Sequence, residues 1–404
     1  MATAKTDYAS LIARYAGRFH DVIGDGHHVA SPLGAWLLLA LCAPAAHGAE
    51  ADALAEVLGG GADEVAAIAA EMLAAPHPLV AAAAAVWGEP SAADERWLPG
   101  LPPSVAKGAV PAQDELDRWA RDHTFGLIER FPLNVDPAVY LLLATALATK
   151  VSWDRPFELA PGTALGPSSP WAKDLRHVLM SPNHPGHSAF IATTPQAGDV
   201  AVHVGNARGG LFVASVIAAA DATRADVLAA AHSLAIAFAR GEPLTRRPLS
   251  DLPEGDAPLW SVRDEPSTDK VGQECVAVLP AWSATDNYDL SDPRFGFKAA
   301  AQALVGRDPW VARQATTASY SKTGFEAAAV TAMAVRLAMM PRHGVLRTVE
   351  LRFGHPYAVV AVTADAGSGK TQPGPWHGVP VFSAWVARPR NAEDAAKDSN
   401  GAAP

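Results

Sequence analysis

Apolar residues recur along this chain at two periods, and the alternation between them outlines the expected elements. Tyr8, Leu11, Ile12, Tyr15 and Phe19 fall on one stripe, which predicts an amphipathic helix over 7–20. Residues 33–49, LGAWLLLALCAPAAHGA, are apolar on every side, so the helix they form must be central and buried. Ser31 stands where it can cap that helix, and Pro32 suits its first turn. Further helices are expected at 51–58, at 112–130 with Leu116, Trp119 and Ala120 on one face, and at 224–238 behind a Thr223 cap. Strands are expected at 80–87, 140–151, 200–204, 211–216, 275–281, 349–353, 358–363 and 379–389, with Gly209-Gly210 as a turn. The Pro-rich stretch 98–111 reads as a surface connection, and 391–404 as a disordered tail without apolar periodicity.

One segment fits both periods. In 320–340, YSKTGFEAAAVTAMAVRLAMM, reading every second residue puts Phe325, Ala327, Ala329, Thr331, Met333 and Val335 on one face. Glu326, Ala328, Val330, Ala332, Ala334 and Arg336 share the other, with charges at its two ends. The wealth of alanine equally suits a helix.

Composition narrows the function classes. The 404 residues are 49% hydrophobic and 18% charged, which describes a globular chain with a large core. A net charge of −10, with no long run of Lys and Arg, argues against sequence-independent nucleic-acid binding. Two cysteines, Cys42 and Cys275, make no disulfide framework; scattered buried thiols are expected, with one bridge between them as the alternative. The apolar core at 33–49 follows about thirty polar, mixed-charge residues with no basic cluster, so it does not read as an export signal. It is also too short to span a bilayer. Cytoplasmic residence is the default expectation and export the alternative.

Three catalytic or binding readings are set back by their residues, and only the first, a P-loop nucleotide-binding protein, is kept, as a distant third alternative. Ala364-Asp365-Ala366-Gly367-Ser368-Gly369-Lys370-Thr371 ends like a phosphate-binding loop. Ala364 replaces the first glycine, however, and the Pro373-Gly374-Pro375 run prevents the helix whose N-terminus would support phosphates. His27 with His28, and His184 with His187, lie in loop-like sequence without a third ligand, so solvated loop histidines are expected rather than a metal. Gly186-His187-Ser188-Ala189-Phe190 lacks the last glycine of a nucleophile elbow, and no paired carboxylates stand apart as acid and base. The chain is therefore not expected to be an enzyme, nor to need a cofactor or metal.

Several motifs, in order along residues 7–390, resemble the serpin family, in its bacterial-type form. Gly324-Phe325-Glu326-Ala327-Ala328-Ala329-Val330-Thr331-Ala332 is similar to the hinge of the serpin reactive-centre loop. Ser31-Pro32 matches the start of the family's buried second helix, and Trp119, Thr124 and Ile128 match the spacing of a helix that lies across its main sheet. Trp153-x-x-Pro156-Phe157, directly after a central apolar strand, is among the most specific serpin signatures. Leu279-Pro280-Ala281-Trp282 followed by Tyr288-Asp289-Leu290, and Pro356-Tyr357 before a terminal strand, resemble further family pieces. The chain departs from the pattern at Gly34, where Ser is usual, at Thr145, where Asn is usual, at Lys322, where Glu is preferred, and at Phe325, where a small residue is usual. Ala384 stands where a Gly is usual.

The resemblance implies one α+β serpin-like domain over 1–390. It would hold a large, mostly antiparallel central sheet, additional sheets, about eight or nine helices and an exposed reactive-centre loop at about 322–345. It also implies a monomer that inhibits a serine protease as a suicide substrate, with the hinge inserting as a new strand. Ser31, Pro32 and Thr145 would lie where the sheet opens. Counting from Gly324 by the family's hinge length places the cut at Ala338, with Leu337 and Met339 as neighbours, whereas counting back from Pro356 reaches Val345. The hinge count suits an elastase-, chymotrypsin- or subtilisin-like target; Arg336 or Arg342 would suit a trypsin-like one. The large Phe325 keeps open a non-inhibitory binding or carrier protein of the same fold.

Overall fold

The computed structural model describes residues 7–88, 97–131, 133–134, 139–149, 152–267, 271–306, 308–324, 344–365 and 374–394. In chain order the elements begin with α1 (Tyr8–Ile23), β1 (His28–Ala30), α2 (Pro32–Cys42), α3 (Ala49–Leu58), α4 (Ala62–Ala74) and β2 (Val80–Gly88). There follow α5 (Trp97–Gly100), β3 (Ala106–Gly108), α6 (Gln113–Asp122), β4 (Leu141–Thr149), β5 (Glu158–Pro161) and β6 (His177–Met180). Then come β7 (His187–Thr194), β8 (Gly198–Ala207), β9 (Leu211–Ile217), α7 (Arg224–Arg240), β10 (Gly255–Asp256) and β11 (Trp260–Ser267). The chain closes with β12 (Gly272–Leu279), β13 (Trp282–Asp289), α8 (Phe297–Leu304), β14 (Trp310–Tyr320), β15 (Gly344–Arg352), β16 (Tyr357–Thr363) and β17 (Pro380–Val386). It falls into two compact units: Met1–Lys150 with Ala284–Ala318 and Val360–Ala384, and Val151–Ser283 with Ser319–Val359 and Trp385–Pro404.

The first unit is organised around α2, every residue of which is buried. The Ser31 hydroxyl caps it, accepting the Gly34 N–H at 3.4 Å. The stripe of α1 buries Ile12, Tyr15 and Phe19, and the Tyr15 hydroxyl donates to the Phe295 carbonyl at 3.0 Å. The five-stranded sheet of this unit runs β13–β14–β4–β2–β3. β2 and β4 pair antiparallel along their whole length, from Val80↔Thr149 to Gly88↔Leu141. β14 pairs β4 in parallel from Trp310↔Leu141 to Gln314↔Thr145.

In the second unit, β10–β11–β15–β12–β6–β5 form one sheet. β15 is antiparallel to β11 and parallel to β12. β7, β8 and β9 form an antiparallel meander turned at Gly209 and Gly210, both at φ near +90°, where a side chain would be strained. α7 packs on that meander through Phe238, whose ring centroid lies 6.3 Å from Phe190 and 5.4 Å from Phe212.

Three expectations are corrected. The stretch 98–111 is not all connection: α5 lies partly within it, and Ala106–Gly108 pair in parallel with β2 as an edge strand. The helix expected over 112–130 ends at Asp122. There the Thr124 hydroxyl donates to the Ala120 carbonyl at 2.8 Å and accepts the Ile128 N–H at 3.0 Å, while Phe125 turns to φ +54°. The described chain also continues into the expected tail. Asn391 Oδ1 accepts the Arg176 N–H at 2.8 Å, and Ala392 is buried. α4 lies outside the expected elements, although Val65, Ala69, Met72 and Leu73 mark its buried stripe.

Candidate functional site

The candidate site is built where the main sheet of the first unit is only half zipped. The parallel ladder joins Leu141–Thr145 to Trp310–Gln314, yet β4 continues to Thr149 and β14 to Tyr320. Side chains from β13 and β14 hold the residues leading into α2. The Gln314 amide donates to the Ser31 carbonyl at 2.8 Å and accepts the Ser31 N–H at 3.0 Å. The Thr316 and Tyr288 hydroxyls both donate to the Val29 carbonyl, at 2.7 and 2.8 Å. The Val29 N–H in turn donates to Asp286 at 2.9 Å, and the Ser31 hydroxyl donates to the Val381 carbonyl at 3.1 Å. Buried backbone groups are costly to leave unpaired, so this polar web fixes both strands to the head of α2.

Thr145 belongs to this region by shape. A Cβ added at Gly34 would come within 3.1 Å of Thr145 Oγ1 and 3.5 Å of Ser31 Oγ. Gly34 and Thr145 therefore fit one another in size, and the Gln314 amide brackets Ser31 beside them.

In the second unit, Trp153 to Phe157 clamp the strip of chain that precedes the expected hinge. The Trp153 indole donates to the Ser321 carbonyl at 2.9 Å. The Phe157 N–H donates to the Lys322 carbonyl at 3.0 Å, and the Trp153 N–H to the Thr323 carbonyl at 3.4 Å. Ser152 bridges antiparallel to Gly324, which sits at φ +85°, a conformation open to glycine. Tyr320 packs within this clamp, its ring tilted against both, 4.9 Å from Trp153 and 5.7 Å from Phe157 between ring centroids.

Two histidines back the clamp. His187 Nε2 lies 2.7 Å from the Arg155 carbonyl, His187 Nδ1 lies 3.0 Å from His203 Nε2, and His203 Nδ1 lies 3.5 Å from the Tyr320 hydroxyl. Burial lowers the pKa of both, that of His203 by far the more. Burial also raises the Tyr320 phenol pKa.

The structure thus brings Ser31, Pro32 and Thr145 together, and places Gly324 at the end of the strip that Trp153 and Phe157 hold. The hinge residues Phe325, Glu326, Ala327, Ala328, Ala329, Val330, Thr331 and Ala332, and the cut-site residues Leu337, Ala338 and Met339, lie outside the described residues. So do Ala366 to Thr371 of the phosphate-loop pattern.

Two loop-histidine expectations are corrected. His28 is buried in β1, 2.8 Å from His20, and His187 is buried in β7. Sequence reasoning also missed Gln314, Thr316 and His203. For His203 the signal was present, since it interrupts the all-apolar run Val200 to Val204, whose burial carries it inside. No group of three or more His, Cys, Asp or Glu among the described residues is arranged to hold a metal. The thiols of Cys42 and Cys275 are each pushed up to about 12 by burial, which keeps them protonated at neutral pH.

No protein-family model matches this chain, and no curated protein matches it by sequence. Solved structures match it in shape. Human thyroxine-binding globulin, complexed with its hormone, aligns at a TM-score of 0.62 and 13% identity, covering 95% of this chain and 99% of that one. Tengpin, a thermophilic serpin in its native state, aligns at 0.61 and 13% identity over 96% of both chains. Serpin48 of the insect Tenebrio molitor, described as a highly specific serpin, aligns at 0.59 and 13% identity over 96% of this chain and 100% of that one. Matched in shape over at least 95% of its length, this chain has a serpin-like fold.

Proposed function

We propose that this protein inhibits serine-type endopeptidases as a suicide substrate. The observation that carries this reading is the parallel β4–β14 pair, zipped over Leu141–Thr145 and Trp310–Gln314 while both strands run on. A sheet with its two middle strands only partly joined can accept another strand between them, and β14 leads through Ser321 to Gly324 into the segment that would supply it. On this reading the protease serine attacks a bond among Leu337, Ala338 and Met339 and forms an acyl-enzyme. The freed segment then enters the sheet, with Ala327, Ala329 and Thr331 turned inward and Glu326 outward. Small inward residues cost little strain as they enter. The tethered protease is displaced before water can complete hydrolysis, because deacylation needs its triad and oxyanion hole intact.

Incubation with elastase-, chymotrypsin-, subtilisin- and trypsin-like proteases tests this reading. The expected result is a denaturant-resistant complex, a released fragment whose mass fixes the cut bond, and loss of the complex in Ala329→Glu or Thr331→Arg. Phe325 supports a second reading, a non-inhibitory binding or carrier protein, because a phenyl ring at the first inward position obstructs insertion. Clean cleavage without a trapped complex would favour that reading. A sharp rise in heat stability after cleavage would still identify an insertable loop.

A further inference from the structure

The hydrogen bonds of His187 and His203 have only one consistent polarity when both rings are neutral. A carbonyl can only accept, so His187 Nε2 carries its proton and donates to Arg155 at 2.7 Å. His187 Nδ1 is then bare and accepts from His203 Nε2–H at 3.0 Å. That leaves His203 Nδ1 bare, facing the Tyr320 hydroxyl at 3.5 Å. A directed chain therefore runs from Tyr320, at the end of β14, through β8 and β7 to Arg155, inside the Trp153–Phe157 clamp. One end meets the Arg155 carbonyl, within the 153–157 segment that holds Ser321–Gly324, and the other meets the side chain of Tyr320, the residue before that strip.

We propose that this histidine pair is an acid-sensitive latch on the base of the loop, independent of which function the loop performs. One added proton cannot be placed without turning at least the Tyr320 end of the chain. On His203 it puts an N–H on Nδ1, against the Tyr320 hydroxyl hydrogen. On His187 it sets two N–H groups face to face, and relief requires His203 to turn its own proton toward Tyr320. Either way the phenol must stop donating to His203 and accept instead, its hydrogen turning toward the buried Ser215 Oγ beside it.

The cation would sit among the rings of Phe157, 5.3 Å from His203, and Tyr320. The charged and titratable groups facing the pair are few. Asp154 favours the proton and His184 opposes it, while Tyr357 lies next to Tyr320. β8 is held by ladders on both sides, from β7 and from β9. Tyr320 lies beyond the end of the β4–β14 ladder, so it and the strip that follows it are the element expected to yield. Because burial favours neutral rings, the latch holds above the ordinary histidine pKa of about 6.5 and weakens as pH falls below it.

Amide hydrogen exchange at Tyr320–Gly324, corrected for the intrinsic effect of pH, reads the latch directly. Protection is expected to fall at least fivefold between pH 7.5 and pH 5.0, while the amides of β8 keep theirs. Tyr320→Phe is expected to show the low protection at both values. Equal protection in the wild type at the two values would overturn the proposal. Nitrogen NMR of the intact protein provides a second check that needs no variant. Both rings are expected as Nε2–H tautomers at pH 7.5, with one taking up a proton as the strip opens. An Nδ1–H tautomer of His203, or rings still neutral at pH 5.0 while protection is lost, would overturn it as well.

Discussion

The side-chain amide of Gln314 brackets Ser31, donating to its carbonyl at 2.8 Å and accepting its N–H at 3.0 Å. Both partners are buried, so no water stands ready to replace the amide. Gln314→Ala leaves a backbone donor and a backbone acceptor unsatisfied. The expected loss is about 2–4 kcal/mol of unfolding free energy, measured by urea denaturation. Gln314→Glu is expected to recover part of it, because a carboxylate oxygen can still accept the Ser31 N–H.

Gly34 and Thr145 are expected to be coupled. Gly34→Ser puts a Cβ 3.1 Å from Thr145 Oγ1, and a loss of about 1–3 kcal/mol is expected in the native background. In Thr145→Ala the obstructing hydroxyl is gone, so the same change should cost clearly less. A double-mutant cycle measures the difference; additive effects would mean that the two sites do not share space.

Five buried or half-buried histidines set an acid limit on stability. Burial lowers the pKa of His77, His187, His203, His232 and His355, so the folded chain keeps them neutral where the unfolded chain would protonate them. Protons thus bind the unfolded state more strongly, and stability is full above about pH 6.5 and falls as pH drops below it. The urea midpoint is expected to stay level from pH 8 to 7 and to decline steadily from 6.5 to 5. His232→Gln should reduce the slope, if the helix keeps its fold.

Phe325→Thr tests the inhibitory reading at its weakest residue. Removing the ring from the first inward position should speed insertion, raise the rate of inhibition and lower the number of inhibitor molecules consumed per protease trapped. Progress curves with the protease that forms the complex report all three. Unchanged values would mean that the sheet already has a hollow for the ring.

Much of the scaffold was legible because local signals and packing agreed. Ser31 and Pro32 marked the head of α2, Thr223 marked α7, and the apolar runs gave β2, β4, β8 and β9. β3 escaped because three residues, AKG, carry no period and pair only through the neighbouring β2. The end of α6 escaped because Thr124, by bonding back to Ala120 and forward to Ile128, overrides a stripe that continues in the sequence. At the site, Trp153 and Phe157 were readable as a motif. Gln314 was not, since its role depends on a partner 283 positions away. His187 read as a loop residue because Pro185 and Gly186 precede it, and only the pairing with β8 carries it inside.

The protonated thiols of Cys42 and Cys275 have a practical use. With burial pushing both up to about 12 and neither forming a disulfide, the natural chain is expected to react slowly with maleimide dyes at neutral pH. A single cysteine placed between 325 and 343 would then be the first position to take a label, with no native residue removed beforehand. The fluorophore would report in real time any change in that segment's surroundings after a protease cuts the chain.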